Sequence, residues 1–253
     1  MKLMEQIGRG VGWALSPLAA AGSFVRQSRL FHPDGVVYRA EVLPAASTGP
    51  AKDVAARLAG PALVRLSSGW WKRGKEWPDA LGVSIRFRSD RSATAEPAPG
   101  DQDLLCASVP SLWLLLLAPL MTNQHNFLAN DYFAMAPFDV EGLGRAKFRL
   151  RARRVPATGN RETSLERATA AGLAVFELEA RRVGLRSRYE RIATIRLVIR
   201  AVIDQEALRL SPFRSGRGIV PRGFVQATRF GTYALSQLAR PKSAAARRAL
   251  RGR

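Results

Sequence analysis

Four short runs rich in β-branched and aromatic residues, GVVYRAEVL (35–43), ALVRLSS (62–68), LGVSIRFRS (81–89) and DLLCASVP (103–110), follow one another along the chain with turn-rich loops between them. Each reads as a strand, and the connections are close enough for antiparallel neighbours. A helical stretch is expected next, over residues 112–133, broken near Pro119. Three further strands follow in AKFRLRARRV (146–155), AVFELEARRV (174–183) and TIRLVIRAVI (194–203), and the chain closes on a helix. Runs of strands with helices set apart from them predict an α+β architecture: a curved antiparallel sheet or barrel covered by helices.

Composition agrees with a packed core. The chain has 253 residues, of which 47% are hydrophobic, and no linker or fixed-period repeat divides it. It is read as a single domain over 1–253, with a short N-terminal helix at about 1–24 and a basic, disordered tail at about 241–253. The irregular stretch 88–103 reads as a surface loop inside that domain. Cys106 is the sole cysteine, so no intrachain disulfide can form, which is compatible with a reducing compartment. LWLLLLAPLM (112–121) has ten residues where about twenty are needed to span a bilayer, so it is read as a core helix. Glu5, Arg9 and Pro17 interrupt the apolar N-terminus, which argues for a packing helix over a signal peptide and for a cytoplasmic protein.

The net charge of +20 attracts polyanions and anionic surfaces in general. Much of the excess sits in 153–162, 181–196 and the tail. No zinc-ligand cluster, RNA-binding aromatic signature or helix-turn-helix pattern accompanies it. Specific nucleic-acid binding is therefore not expected, and weak anionic-surface binding is assigned to the tail.

Candidate chemistry lies at both ends of the strand-rich region. On the closing helix, Arg229, Tyr233 and Arg240 are four and seven residues apart, so they share one face and span roughly 16 Å. A flat anionic ligand fits such a ladder, and so does a solvated basic stripe. His32 stands before an apolar strand with Arg29 three residues earlier. Arg65 and Ser67 are two apart and so face the same side of their strand. An arginine aimed inward without an anion is costly, so taken alone Arg65 is expected to face solvent. His125 and Asn126 lack a third partner for a metal, and Asn126, Asn130 and Tyr132 are expected to cap helices or line a loop.

In order along the chain stand R-x-x-H-x-x-G (Arg29, His32, Gly35), V-R-x-S (Arg65, Ser67), D-x-x-G-x-x-x-R-F (Asp79 to Phe87), D-L-x-x-x-x-x-P (Asp103 to Pro110) and R-x-x-x-Y-x-x-x-x-x-x-R (Arg229, Tyr233, Arg240). This series resembles the heme-dependent catalases. The resemblance implies a catalase-like antiparallel β-barrel with ferric heme b held against a C-terminal helix. It implies Tyr233 as the proximal iron ligand and Arg229 as the cation that stabilises its phenolate. Arg29, Arg65 and Arg240 are implied to bind the heme propionates, His32 to act as the distal acid and base, and Ser67 to orient it. The implied substrate is hydrogen peroxide or an organic hydroperoxide.

The chain departs from the catalase pattern at Ala107, where the family carries an asparagine, and Ser108 stands beside it. Alanine cannot donate a hydrogen bond to peroxide. Gln237 replaces a basic residue that often follows the tyrosine, and the long arm and extra domain of full-length catalases are missing from this sequence. Three functions remain open: a small peroxide-cleaving heme enzyme, a noncatalytic heme protein of the same fold, and a basic membrane- or nucleic-acid-binding protein.

Overall fold

Alternation organises the first strand: Val36, Tyr38, Ala40 and Val42 are buried on one face of β1 (Gly35–Pro44), while Arg39 on the other face is exposed. The computed structural model describes residues 35–71, 74–92, 94–184, 187–205 and 207–223. Further strands are β2 (Gly60–Ser68), β3 (Leu81–Phe87), β4 (Gln102–Ala107), β5 (Asp131–Ala134), β6 (Phe138–Val140), β7 (Gly144–Ala152), β8 (Val175–Arg182), β9 (Glu190–Arg200) and β10 (Ile219–Pro221). The expected helix at 1–24, the tail at 241–253 and the candidates Arg29, His32, Arg229, Tyr233 and Arg240 lie outside the described residues.

Eight strands close on themselves. The order is β7-β5-β4-β3-β2-β1-β9-β8, and β8 pairs back to β7, with every pairing antiparallel. β6 pairs with β7 through Phe138 and Ala146, and β10 pairs with β6, making a flap on the barrel. An eight-stranded barrel is just wide enough for side chains to fill it. Here Leu66, Val83, Ile85, Phe87, Phe148, Leu150, Phe176 and Ile195 belong to one continuous apolar cluster, so the interior is a core.

Two helices were not legible beforehand. α1 (Pro50–Leu58) links β1 to β2 and buries Ala51, Val54, Ala55 and Leu58. The connection from β7 to β8 carries a ten-residue helix, Arg161–Ala170, which is capped by Asn160 accepting from the Thr163 amide at 2.9 Å.

The continuous helical stretch expected over 112–133 does not form. Instead a 3₁₀ turn (Leu112–Leu117) runs into a four-residue helix, α2 (Ala118–Met121), and a second 3₁₀ turn (Phe127–Ala129) precedes β5. With α2 placed, the Arg161–Ala170 helix is α3. Beyond Met121, polar side chains hold the backbone outside a helix: Asn126 accepts from the Leu128 amide at 2.9 Å and Asn130 from the Asn123 amide at 2.8 Å. Nor is 112–121 a core helix, because Trp113, Leu116 and Leu120 are 87%, 86% and 85% exposed. The fourth strand ends at Ala107, short of Pro110, and the last long strand is shifted, running from Glu190 to Arg200.

Candidate functional site

The outer face of β1–β4 carries the two sequence candidates among the described residues, Arg65 and Ser67. In an antiparallel pair, directly opposed residues share a face. Gly35 opposes Ser67, Ser67 opposes Gly82, and Gly82 opposes Ala107, so four small residues form one row across four strands. The next row on that face is Val37, Arg65, Ser84 and Leu105. The row is a floor with no side chain larger than a hydroxymethyl group, and an arginine stands at its edge.

Arg65 does not face solvent. It is 3% exposed and Ser67 is 1% exposed, because the outer face of this part of the barrel is covered as well. A Cβ added to Gly35 would sit 2.9 Å from Cζ and Nη2 of Arg65 and would overlap the Leu66 carbonyl oxygen. Glycine at 35 is therefore what lets the guanidinium lie along the strand. The Gln205 amide donates to the Gly35 carbonyl at 2.7 Å, and Val37 and Leu63 pack with Leu208 and Leu210.

That covering segment is clamped by a buried ion pair. Arg86 and Asp103, opposite each other on β3 and β4, make bidentate contacts of 2.9 and 3.1 Å with both side chains wholly buried. The Asp103 carboxylate also accepts from Ser211 N at 2.9 Å and from Arg214 Nε at 3.1 Å, while Arg86 donates to the Arg209 carbonyl at 2.7 Å. Two motifs quoted for the resemblance thus have a structural task, fastening 205–214 over the outer face. Sequence reading missed it; the signal was an arginine and an aspartate at matched strand positions.

Asp79 fixes the other border of the floor. It is fully buried and accepts from the amides of Trp70 at 3.1 Å and Ala80 at 2.7 Å. Burial pushes its carboxyl up, and those amides oppose the shift. Ser108 is committed elsewhere: it accepts from the Leu81 amide at 3.0 Å and lies 2.7 Å from the Thr122 hydroxyl. It does not substitute for the donor that Ala107 lacks.

The remaining polar candidates are structural. His125 Nδ1 is 2.8 Å from Glu76 Oε2 on an exposed edge, and Asn126 caps the second 3₁₀ turn. The buried Tyr132 hydroxyl donates to the Phe127 carbonyl at 2.7 Å, and burial raises its pKa. Among the described residues, no three His, Cys, Asp or Glu side chains gather as a metal site.

A solved crystal structure of a fungal catalase superposes on this chain with a TM-score of 0.62 and 13% identity. The fold is catalase-like. The match covers 88% of this chain and 62% of the fungal catalase, so this chain spans about three-fifths of that protein's length. No family model matches the sequence, and neither does any curated protein. At this identity the likeness concerns the catalase-like barrel alone. Within it, the described residues offer a row of small side chains and, next to it, the buried guanidinium of Arg65, a group of the kind suited to a carboxylate. Among the described residues, no helix is long and apolar enough to cross a membrane.

Proposed function

We propose that the protein is a heme-dependent oxidoreductase that cleaves hydrogen peroxide or an organic hydroperoxide. The observation that carries this reading is the pairing of Arg65 and Ser67 on one buried face of β2, beside the row Gly35, Ser67, Gly82 and Ala107. When bound, ferric heme supplies the redox centre at which the peroxide O–O bond breaks. The chain's own residues provide the rest. Arg29, Arg65 and Arg240 hold the propionates, Tyr233 holds the iron, and Arg229 keeps the phenolate ionised. His32 takes a proton from one peroxide oxygen and returns it to the departing one, with Ser67 orienting the imidazole.

Ala107 favours a second reading, a heme-binding protein of this fold without turnover. The two separate by mutation in the full chain expressed with a heme precursor. Under the enzyme reading, Tyr233→Phe loses both heme and peroxide turnover, whereas His32→Ala keeps heme and loses turnover. Turnover that survives His32→Ala contradicts the enzyme reading, and heme retention without turnover in the wild type selects the second.

A further inference from the structure

We propose that the 112–121 loop is a membrane-docking tip that inserts into an anionic lipid surface. Its two sides differ sharply. Ala118 is buried with Ala80 and Val109, and Leu114 and Leu115 pack inward against that cluster, which fixes the loop to the segments flanking β3 and β4. Trp113, Leu116 and Leu120 project outward and are more than four-fifths exposed, with Leu117 and Met121 about half exposed. In a 3₁₀ turn, residues three apart eclipse, so Trp113 and Leu116 share a face and α2 continues it with Leu120.

Charge identifies the occupant. No Asp, Glu, Lys or Arg occurs between residues 104 and 130, in a chain of net charge +20. One exposed cation, Lys75, stands where the loop rejoins the body, beside Glu76. Arg161 donates to the carbonyls of Gln124 and Lys75, the Lys75 ammonium lies 4.0 Å from the Trp77 ring centroid, and Trp77 is half exposed. Exposed Trp and Leu side chains beside an exposed lysine are the pattern of an interfacial anchor. A five-side-chain tip is small against the roughly 800 Å² that each partner contributes to a stable protein interface. A bilayer accepts such a tip at one point and adds attraction for the whole basic chain. Because Leu114, Leu115 and Ala107 at the edge of the floor pack against one shared cluster, docking would bring the site to acyl hydroperoxides; that consequence alone rests on the function proposed above.

The test mixes the full chain with vesicles of phosphatidylcholine, and with vesicles of equal parts phosphatidylcholine and phosphatidylglycerol, and measures the sedimented fraction at about 0.15 M salt. The wild type is expected to bind the anionic vesicles. Leu116→Glu combined with Leu120→Glu is expected to lower the partition coefficient by about a hundredfold, tenfold per leucine, with unfolding unchanged. Bromine-labelled acyl chains should quench the wild-type fluorescence, and Trp113→Phe should remove most of that quenching, leaving what Trp77 contributes, which tests insertion even if the glutamate variant misfolds. Three results overturn the proposal: no binding by the wild type, binding untouched by the substitutions, or a lipid-free dimer that the glutamates dissociate. Heme content enters none of these readouts, so the docking and the proposed function fail separately.

Discussion

Replacing Asp103 with alanine should release the cover from the outer face of the barrel. Its carboxylate satisfies Arg86 twice, Arg214 once and the Ser211 amide, all within 2.9–3.1 Å. Without it, the buried Arg86 keeps, among the described residues, the carbonyls of Ala95 and Arg209 as acceptors. Breaking a buried pair from one side costs about 3–5 kcal/mol, a large share of the roughly 5–15 kcal/mol that holds a domain folded. Asp103→Ala and Arg86→Met should each fall in that range by urea unfolding of the full chain. The double variant Arg86→Met with Asp103→Leu leaves no orphaned charge, so it should cost about 2–3 kcal/mol less than the sum of the singles. Hydrogen exchange of amides 207–214 should accelerate in Asp103→Ala while the barrel strands stay protected. Singles below about 1 kcal/mol, or a strictly additive double, would refute the clamp.

Further outcomes follow from the same geometry. Gly35→Ala should destabilise by about 1–3 kcal/mol, because the new methyl meets the Leu66 carbonyl oxygen, which cannot yield as a side-chain end can; thermal unfolding reads this directly. Among the described residues, the Tyr38 hydroxyl is buried without a hydrogen-bond partner, so Tyr38→Phe should leave stability at neutral pH unchanged or slightly higher. Burial first and Glu166 second push the Tyr38 phenol from 10.0 up to about 12. Its folded-state pKa is the higher one, so its contribution is fully present below pH 10 and is lost as pH rises towards 12; Tyr38→Phe should flatten that alkaline loss in a pH series of urea midpoints. Under the proposed function, Ala107→Asn should raise hydrogen peroxide turnover about tenfold or more by restoring a donor at the floor.

Much of the barrel was legible because β1 to β4 and β7 to β9 carry β-branched and aromatic residues in runs long enough to declare a period. β5 and β6 were not, since four and three residues are too few to show alternation and the first three residues of β5 fell in the stretch 112–133 that read as helical. α1 escaped because two of the four residues on its buried face are alanine, and α3 because only Leu165 and Ala168 are apolar on its buried side. At the site, the spacing of Arg65 and Ser67 correctly put them on one face. Their burial was hidden, because it depends on cover over the outer face; for the neighbouring Val37 and Leu63 that cover includes Leu208 and Leu210, more than a hundred positions away. The same long range concealed the clamp: Asp103 and Arg214 meet only once the cover is in place. The exposure of Trp113 and Leu116 reverses the ordinary expectation for an apolar run, and composition alone offered no sign of it.

The most direct test of the central claim is the visible absorption spectrum of the full chain purified after expression with a heme precursor, beside Tyr233→Phe and Arg65→Ala. The account predicts stoichiometric ferric heme with a phenolate-type spectrum in the wild type, loss of that spectrum in Tyr233→Phe, and weakened retention in Arg65→Ala. A wild-type chain that folds yet holds no heme, or a spectrum indifferent to Tyr233, would contradict it.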